Sequence, residues 1–322
     1  MKRTIITGAT GFVGANLARR LVNEGHEVHL LVRPRYSAWR IRDIEKDTEL
    51  HEIELTDSDS LDRLIGTIRP DWIFHLAAHG AYSSQRDVHR MAATNIVGTI
   101  NLVQSCLNAG FEAFVNTGTS SEYGFKSFAP SEDERLEPNS YYAVTKASAT
   151  LFCRHVAQKH KVNLPTLRLY SVYGPYEEPA RLMPTLILRG LEGSWPPLVN
   201  PDTAHDFVYV DDVCDAYMLA ATQPVNEYGA IYNVGTGRQT AMREVVEVVR
   251  RLMPIKAEPQ WNTMPNREWD TNAWAANNEK IQKELGWHTR YTFEQGFMSM
   301  LDWFRENPEL QELYKEQLKQ TG

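Results

Sequence analysis

The sequence predicts an α/β protein: a doubly wound parallel sheet, with a smaller and interleaved C-terminal part. Three observations carry that reading. The first is the stretch Thr4-Ile5-Ile6-Thr7-Gly8-Ala9-Thr10-Gly11-Phe12-Val13-Gly14. A β-branched run feeds into glycines at Gly8, Gly11 and Gly14, and a helix-compatible run follows from Ala15 to Glu24. Strand, tight turn and helix start in that order make an anion site, because the first helical turn has unpaired N–H groups and a partial positive charge. Glycine is needed where a Cβ would hold the backbone off a pyrophosphate, or a helix off its strand. The second observation is the alternation of β-type runs with helical patterns through the first half, the mark of βαβ units. The third is a change of texture after Tyr170, where Pro175, Pro179, Pro184, Pro196, Pro197 and Pro201 cluster.

The elements follow in order. The first strand precedes Gly8, and the second is Glu27 to Val32. The third spans 50–55, with a capped helix starting at Ser58 or Asp59. The fourth strand spans 71–76. A long helix over 92–108 is closed by Gly110, and the fifth strand spans 113–116. Asn139-Ser140 caps a helix running to about His160, and the sixth strand spans 164–169. Amphipathic helices are expected over 211–221 and 243–252, and 308–322 reads as a polar helix or a frayed tail. Residues 1–170 are expected to form a dinucleotide-binding domain that takes back part of 202–235. Residues 171–322 would form a smaller domain closing over it.

Composition narrows the function. The chain has 322 residues, 42% of them apolar and 23% charged, with a net charge of −7, which is ordinary for a globular enzyme. The acidic balance and lack of a basic cluster argue against a nucleic-acid partner. No apolar run has membrane-spanning length, so no membrane partner is expected. Cys106, Cys153 and Cys214 stand far apart, which points to a reducing, cytoplasmic compartment without disulfides or a zinc site. The ten histidines show no ligand-type spacing either, so no metal is expected.

The chemistry lies in the middle. Tyr142-Ala143-Val144-Thr145-Lys146 places a phenol and an ammonium four residues apart on one helix face. A nearby cation favours phenolate, which makes Tyr142 a usable general acid or base. Just upstream, Val115-Asn116-Thr117-Gly118-Thr119-Ser120-Ser121 ends the fifth strand, where open α/β sheets place their ligands. The bland alternative is a solvated lysine beside a packed tyrosine.

On these motifs the chain resembles the extended short-chain dehydrogenase/reductases of the nucleotide-sugar epimerase, dehydratase and reductase group. The resemblance runs from Gly8 to about Phe297. It rests on Thr7-Gly-Ala-Thr-Gly-Phe-Val-Gly14, Phe74-His-Leu-Ala-Ala78, Asn95-Ile-Val-Gly-Thr99, Thr119 with Tyr123-Gly124, and Tyr142 to Lys146. Arg168-Leu-Tyr-Ser-Val-Tyr-Gly-Pro175 and Asp206-Phe-Val-Tyr-Val-Asp-Asp212 complete it. The resemblance implies a Rossmann domain in which Gly8, Gly11, Gly14 and the Phe12 and Val13 amides hold the pyrophosphate. Leu76, Ala77 and Ala78 would line the adenosine side, with Glu54 and Leu55 near the adenine. Thr119, Tyr142 and Lys146 would be the catalytic set, with Thr117 beside them and Asn95 orienting Lys146 or a water, or merely capping a helix. Tyr170 and Val172 would flank the nicotinamide. Ser171, Leu182, Pro184, Leu198, His205 and Arg267 fall where relatives hold a nucleoside-diphosphate sugar. Two of these depart from the pattern: His205 replaces a frequent Arg, and Ser171 a frequent Asn. The resemblance also implies a homodimer through the helices near 92–108 and Tyr142, with Leu151 and Phe152 either helping or facing the core.

Cofactor choice is read from the end of the second strand, Leu31-Val32-Arg33-Pro34-Arg35, with Ser37 and Arg40 following. NAD enzymes carry a carboxylate there for the ribose hydroxyls, whereas an arginine suits a 2′-phosphate. NADP(H) is therefore expected over NAD(H). A 4,6-dehydratase needs an acid two positions after the catalytic threonine, and Ser121 stands there, with Glu122 one further on. The leading expectation is reduction of a 4-keto sugar. A 4-epimerase with bound NAD is the alternative, followed by a dehydratase and a non-catalytic dinucleotide sensor.

Overall fold

The computed structural model describes residues 1–82, 84–264 and 274–321. Its strands are β1 (Arg3–Thr7), β2 (Glu27–Val32), β3 (Glu49–Glu52), β4 (Trp72–His75), β5 (Ala113–Thr119), β6 (Thr166–Leu169), β7 (Ser171–Tyr173), β8 (Ala204–His205), β9 (Phe207–Tyr209), β10 (Ile231–Val234) and β11 (Thr240–Ala241). The helices are α1 (Phe12–Asn23), α2 (Ser58–Ile68), α3 (Val88–Ala92), α4 (Gly98–Ala109), α5 (Tyr141–His160), α6 (Leu182–Leu191), α7 (Val210–Thr222), α8 (Met242–Leu252), α9 (Glu279–Leu285), α10 (Phe293–Glu306) and α11 (Pro308–Thr321). Seven strands form one parallel sheet in the order β10-β6-β5-β4-β1-β2-β3. The order reverses between β1 and β4, which opens a crevice at their C-terminal ends.

Side chains alternate across the strands. Ile6, Leu30, Phe74 and Val115 pack on one face with Leu17 of α1 and Val213 of α7. Ile5, Leu31, Ile73 and Phe114 pack on the other with Leu61 of α2, Leu102 of α4 and Val156 of α5. Burial on both faces explains the unbroken apolar runs. A further core, with Ile187, Phe207, Val245, Phe297 and Phe304, joins α6, α8 and α10. Two aspartates anchor this part. Asp206 accepts hydrogen bonds from the backbone of Thr236, Gly237 and Ala276, and Asp212 from that of Arg290 and Tyr291.

Several boundaries differ from the sequence expectation. β3 stops at Glu52, because the Glu54 carbonyl turns to accept from Asp57 N–H. α2 does start at Ser58, capped by Asp57 through Ser60 N–H. The helix expected over 92–108 begins at Val88, capped by Asp87, and a π-turn over Ala93–Val97 joins α3 to α4. β5 continues to Thr119, because β6 runs alongside it from Asn116 to Thr119. Cys106, Cys153 and Cys214 are free and buried. Among the described residues no helix is long and apolar enough to cross a membrane.

Glu177 is buried, and its Oε2 has no hydrogen-bond partner among the described residues. Burial lifts its pKa to about 8, with Arg181, the Gly174 backbone and Arg40 pulling the other way. The folded protein therefore keeps a proton that the unfolded chain releases near pH 4.5. The associated stability is complete below that value and is lost as pH rises to about 8. Glu177→Gln stays neutral throughout, so its stability gain over wild type should grow across this window, by up to a few kcal/mol. Urea unfolding at the two ends of the window measures it.

Candidate active site

The crevice between β1 and β4 is built from backbone. Gly8 has φ +73°, and a Cβ there would lie 2.6 Å from Ala77 N. A Cβ on Gly14 would lie 2.4 Å from Gly8 O, so α1 seats itself against the turn only as glycine. Gly11 N–H donates to Gly8 O at 2.9 Å. Gly11 is also the N-cap of α1, without a side-chain cap or an acid in the first turn. The Phe12 and Val13 end of α1 therefore suits an anion, and the cradle fits the pyrophosphate of a dinucleotide. Leu76, Ala77 and Ala78 leave β4 beside it, Ala78 being exposed.

Arg33 is exposed one residue beyond β2. Arg40 instead turns inward, donating to the Tyr176 and Thr10 carbonyls and to Glu178. Glu54 is exposed, while Leu55 is half-buried with its carbonyl accepting from Asn101 at 3.0 Å.

Ser140 caps α5 through Ala143 N–H, and this helix carries Tyr142 and Lys146 one turn apart. Thr119 is the last residue of β5, and its Oγ1 accepts from Ser121 N–H at 3.3 Å. Burial raises the Tyr142 pKa, the Glu122 charge and Tyr82 add to that, and Arg181 and the Thr119 side chain oppose it. Lys146 is 2% exposed. Burial lowers its pKa, with Glu122 and Cys153 pulling it back up. His75 sits between Thr7 at 2.7 Å and Thr99 at 2.8 Å. Burial, with Lys146, holds its pKa near 3, so it stays neutral.

Glu122 does not face this crevice as a spare acid. Its carboxylate is fully buried and accepts from Arg168 Nε at 2.9 Å, Thr150 Oγ1 at 3.0 Å and Thr119 N–H at 2.9 Å. Arg168 also donates to Tyr123 Oη at 2.8 Å and lies over that ring.

The remaining expected residues divide. The Asn95 side chain is engaged with the His79 backbone and with Thr145 Oγ1, all within 2.9 Å, so it reaches Lys146 only through α5. Thr117 Oγ1 is 2.6 Å from Tyr217 Oη. The Tyr170 hydroxyl is buried with no partner among the described residues. Ser171 and Val172 are half-buried in β7. Leu182 and Pro184 open α6, and Leu198 is packed in the further core. His205 lies against Phe207 and Trp274. Arg267 falls outside the described residues. Phe152 packs on the core, while Leu151 is exposed. Sequence reasoning missed Tyr82 and Arg181, which act electrostatically on Tyr142 and stack at 5.5 Å. No linear spacing marks that pair.

A model of the NAD dependent epimerase/dehydratase family matches residues 4–235. This chain belongs to that family. The UDP-glucose 4-epimerase of Mycolicibacterium smegmatis is 29% identical, over 94% of this chain and 98% of that one. The UDP-glucose 4-epimerase of Thermotoga maritima, solved with UDP-glucose, has a TM-score of 0.84 at 25% identity, covering 94% of this chain and 99% of that one. DesIV, a dTDP-glucose 4,6-dehydratase from Streptomyces venezuelae solved with NAD and TYD, also has a TM-score of 0.84 at 25% identity, covering 97% and 99%. The chain spans 48% of the length of an Arabidopsis thaliana trifunctional dehydratase, epimerase and reductase, to which it is 25% identical over 96% of its own length. Homologues in the epimerase/dehydratase family are thus enzymes acting on nucleotide sugars.

If Tyr142 is the acid/base of this family member, Tyr142→Phe should lower turnover by about a hundredfold to ten-thousandfold. Dinucleotide affinity, read by fluorescence titration, should hold. Glu122→Gln should instead lower unfolding stability by roughly 3–5 kcal/mol, because it breaks a buried ion pair. The pH profile of the remaining activity should move to lower pH, because the Glu122 charge that raises the Tyr142 and Lys146 pKa values is gone.

Proposed function

We propose that this chain is an NADP(H)-dependent oxidoreductase that reduces the C4 keto group of a nucleoside-diphosphate 4-keto-6-deoxyhexose. The observation that carries the reading is Arg33, exposed directly beyond β2 at the end where an NAD enzyme places a carboxylate. A guanidinium there suits a 2′-phosphate through charge and a planar donor fork. A cofactor exchanged at each turnover fits reduction better than epimerisation. The raised Tyr142 pKa supports the same direction, since a protonated phenol is ready to act as acid.

When bound, the dinucleotide supplies the hydride. Gly8, Gly11, Phe12, Val13 and Gly14 would hold its pyrophosphate, with Glu54, Leu55 and Leu76 to Ala78 on the adenosine side and Tyr170 and Val172 on the nicotinamide side. Tyr142 gives its proton to the sugar oxygen at C4, Thr119 hydrogen-bonds the same oxygen, and Lys146 steadies Tyr142 and the ribose. Ser171, Leu182, Pro184 and His205 would contact the nucleotide sugar, with Leu198 supporting them from the core, in a part spanning 171–322 that would close over 1–170. A 4,6-dehydratase is disfavoured, because Ser121 stands at the acid position and Glu122 is engaged with Arg168. A homodimer is supported by exposed Val144 and Leu151 on α5 and Val97 in the π-turn.

A second reading, a 4-epimerase with tightly held NAD, is favoured by the M. smegmatis relative. Protein purified without added cofactor, then denatured and analysed by mass spectrometry, separates the two. The expected outcome is no retained NAD⁺ and a preference for NADPH over NADH. Arg33→Ala should cost the NADPH affinity about tenfold to a hundredfold, as a charge-assisted hydrogen bond is worth roughly 1.5–3 kcal/mol. Stoichiometric NAD⁺ in the purified protein would overturn the reductase reading.

A further inference from the structure

At the edge of the sheet, away from the catalytic set, β2 and β3 pair in parallel. His29 lies opposite Glu49, and Leu31 opposite His51. The two-residue period of a strand turns Glu27 and His29 to one face, and Glu49 and His51 to the same face of the neighbouring strand. His29 Nδ1 is 3.0 Å from His51 Nε2 and 3.4 Å from Glu49 Oε2. One ligand atom from each of the three residues falls within 4.8 Å of the others.

The second nitrogen of His29 is committed. Nε2 is 3.0 Å from Glu27 Oε1, and Arg3 Nε donates to that same oxygen at 3.1 Å. A carboxylate only accepts, so Nε2 carries the hydrogen and Nδ1 presents its lone pair to His51 and Glu49. His29 is 4% exposed, which keeps that lone pair out of bulk water. A carboxylate behind a histidine is the arrangement that fixes tautomer and ring orientation in metal sites.

We propose that His29, Glu49 and His51 form a binding site for one divalent ion of the zinc class. Two imidazole nitrogens and a carboxylate oxygen are a donor set that zinc takes, with a fourth position left for water. Nitrogens bound to one tetrahedral zinc lie about 3.3 Å apart, close to the 3.0 Å between these rings. The ion joins the edge strand β3, which among the described residues pairs only with β2, to the rest of the sheet. The histidines stand twenty-two residues apart, so only strand register brings them together.

Tag-free full-length protein, stripped with a chelator, is titrated with Zn²⁺ by calorimetry and with Co²⁺ by visible absorption. One equivalent should bind, Co²⁺ should give a tetrahedral d–d spectrum, and Zn²⁺ should raise the melting temperature. His51→Ala and the exposed Glu49→Gln should each weaken binding at least about tenfold. Glu27→Gln, which leaves all three ligands in place, should weaken it about 10- to 100-fold. The exposed His160→Ala should change nothing. Absence of stoichiometric binding overturns the proposal, as does binding that survives both His51→Ala and Glu49→Gln. In either case the two rings share only a hydrogen bond.

Discussion

The contact between Glu122 and Arg168 sets the geometry on which the end of β5 and the start of α5 depend. Taking both charges out of water is costly, and the pair persists because each hydrogen-bonding group is met. The carboxylate takes hydrogen bonds from Thr119 N–H, Thr150 and Arg168. The guanidinium is met in addition by Tyr123 and the Glu132 carbonyl. These partners come from the end of β5, from α5 and from β6. A helix and two strands are thereby held in one register, which fixes Thr119 at the end of β5 relative to α5, the helix that carries Tyr142. The pair specifies an arrangement more than it adds stability.

The second constraint is the close approach of α1 to the β1 turn. Without side chains at Gly8 and Gly14, the helix start sits against the strand ends at the reversal of sheet order. Its first-turn amides are left without a side-chain cap there.

Much of this was legible in the sequence because it is local. The glycine spacing, the Tyr142–Lys146 spacing and the alternation of elements each lie within a single window, and the seven-stranded parallel sheet and family membership follow the expectation. What was illegible depends on residues far apart in the chain. Glu122 looks like a spare acid until Arg168, forty-six residues on, is seen to hold it. Arg33 and Arg40 look alike in sequence, yet only Arg40 is drawn inward, by carbonyls at Thr10 and Tyr176. Tyr82 and Arg181 meet across a hundred residues beside Tyr142. The extension of β5 to Thr119 required β6 as its partner, which no property of 117–119 announces.

The π-turn over Ala93–Val97 gives the helix preceding β5 an unusual kind of sensitivity. A π-turn accommodates one residue more than a regular turn, and each residue of a helix rotates the chain by about 100°. Asn95 reaches both the His79 backbone and Thr145 from inside this widened turn. The segment is therefore an alignment in which chain length carries information that side-chain identity does not. Exchanges at its exposed positions leave the rotation untouched, whereas losing or gaining one residue would swing the amide off both partners at once.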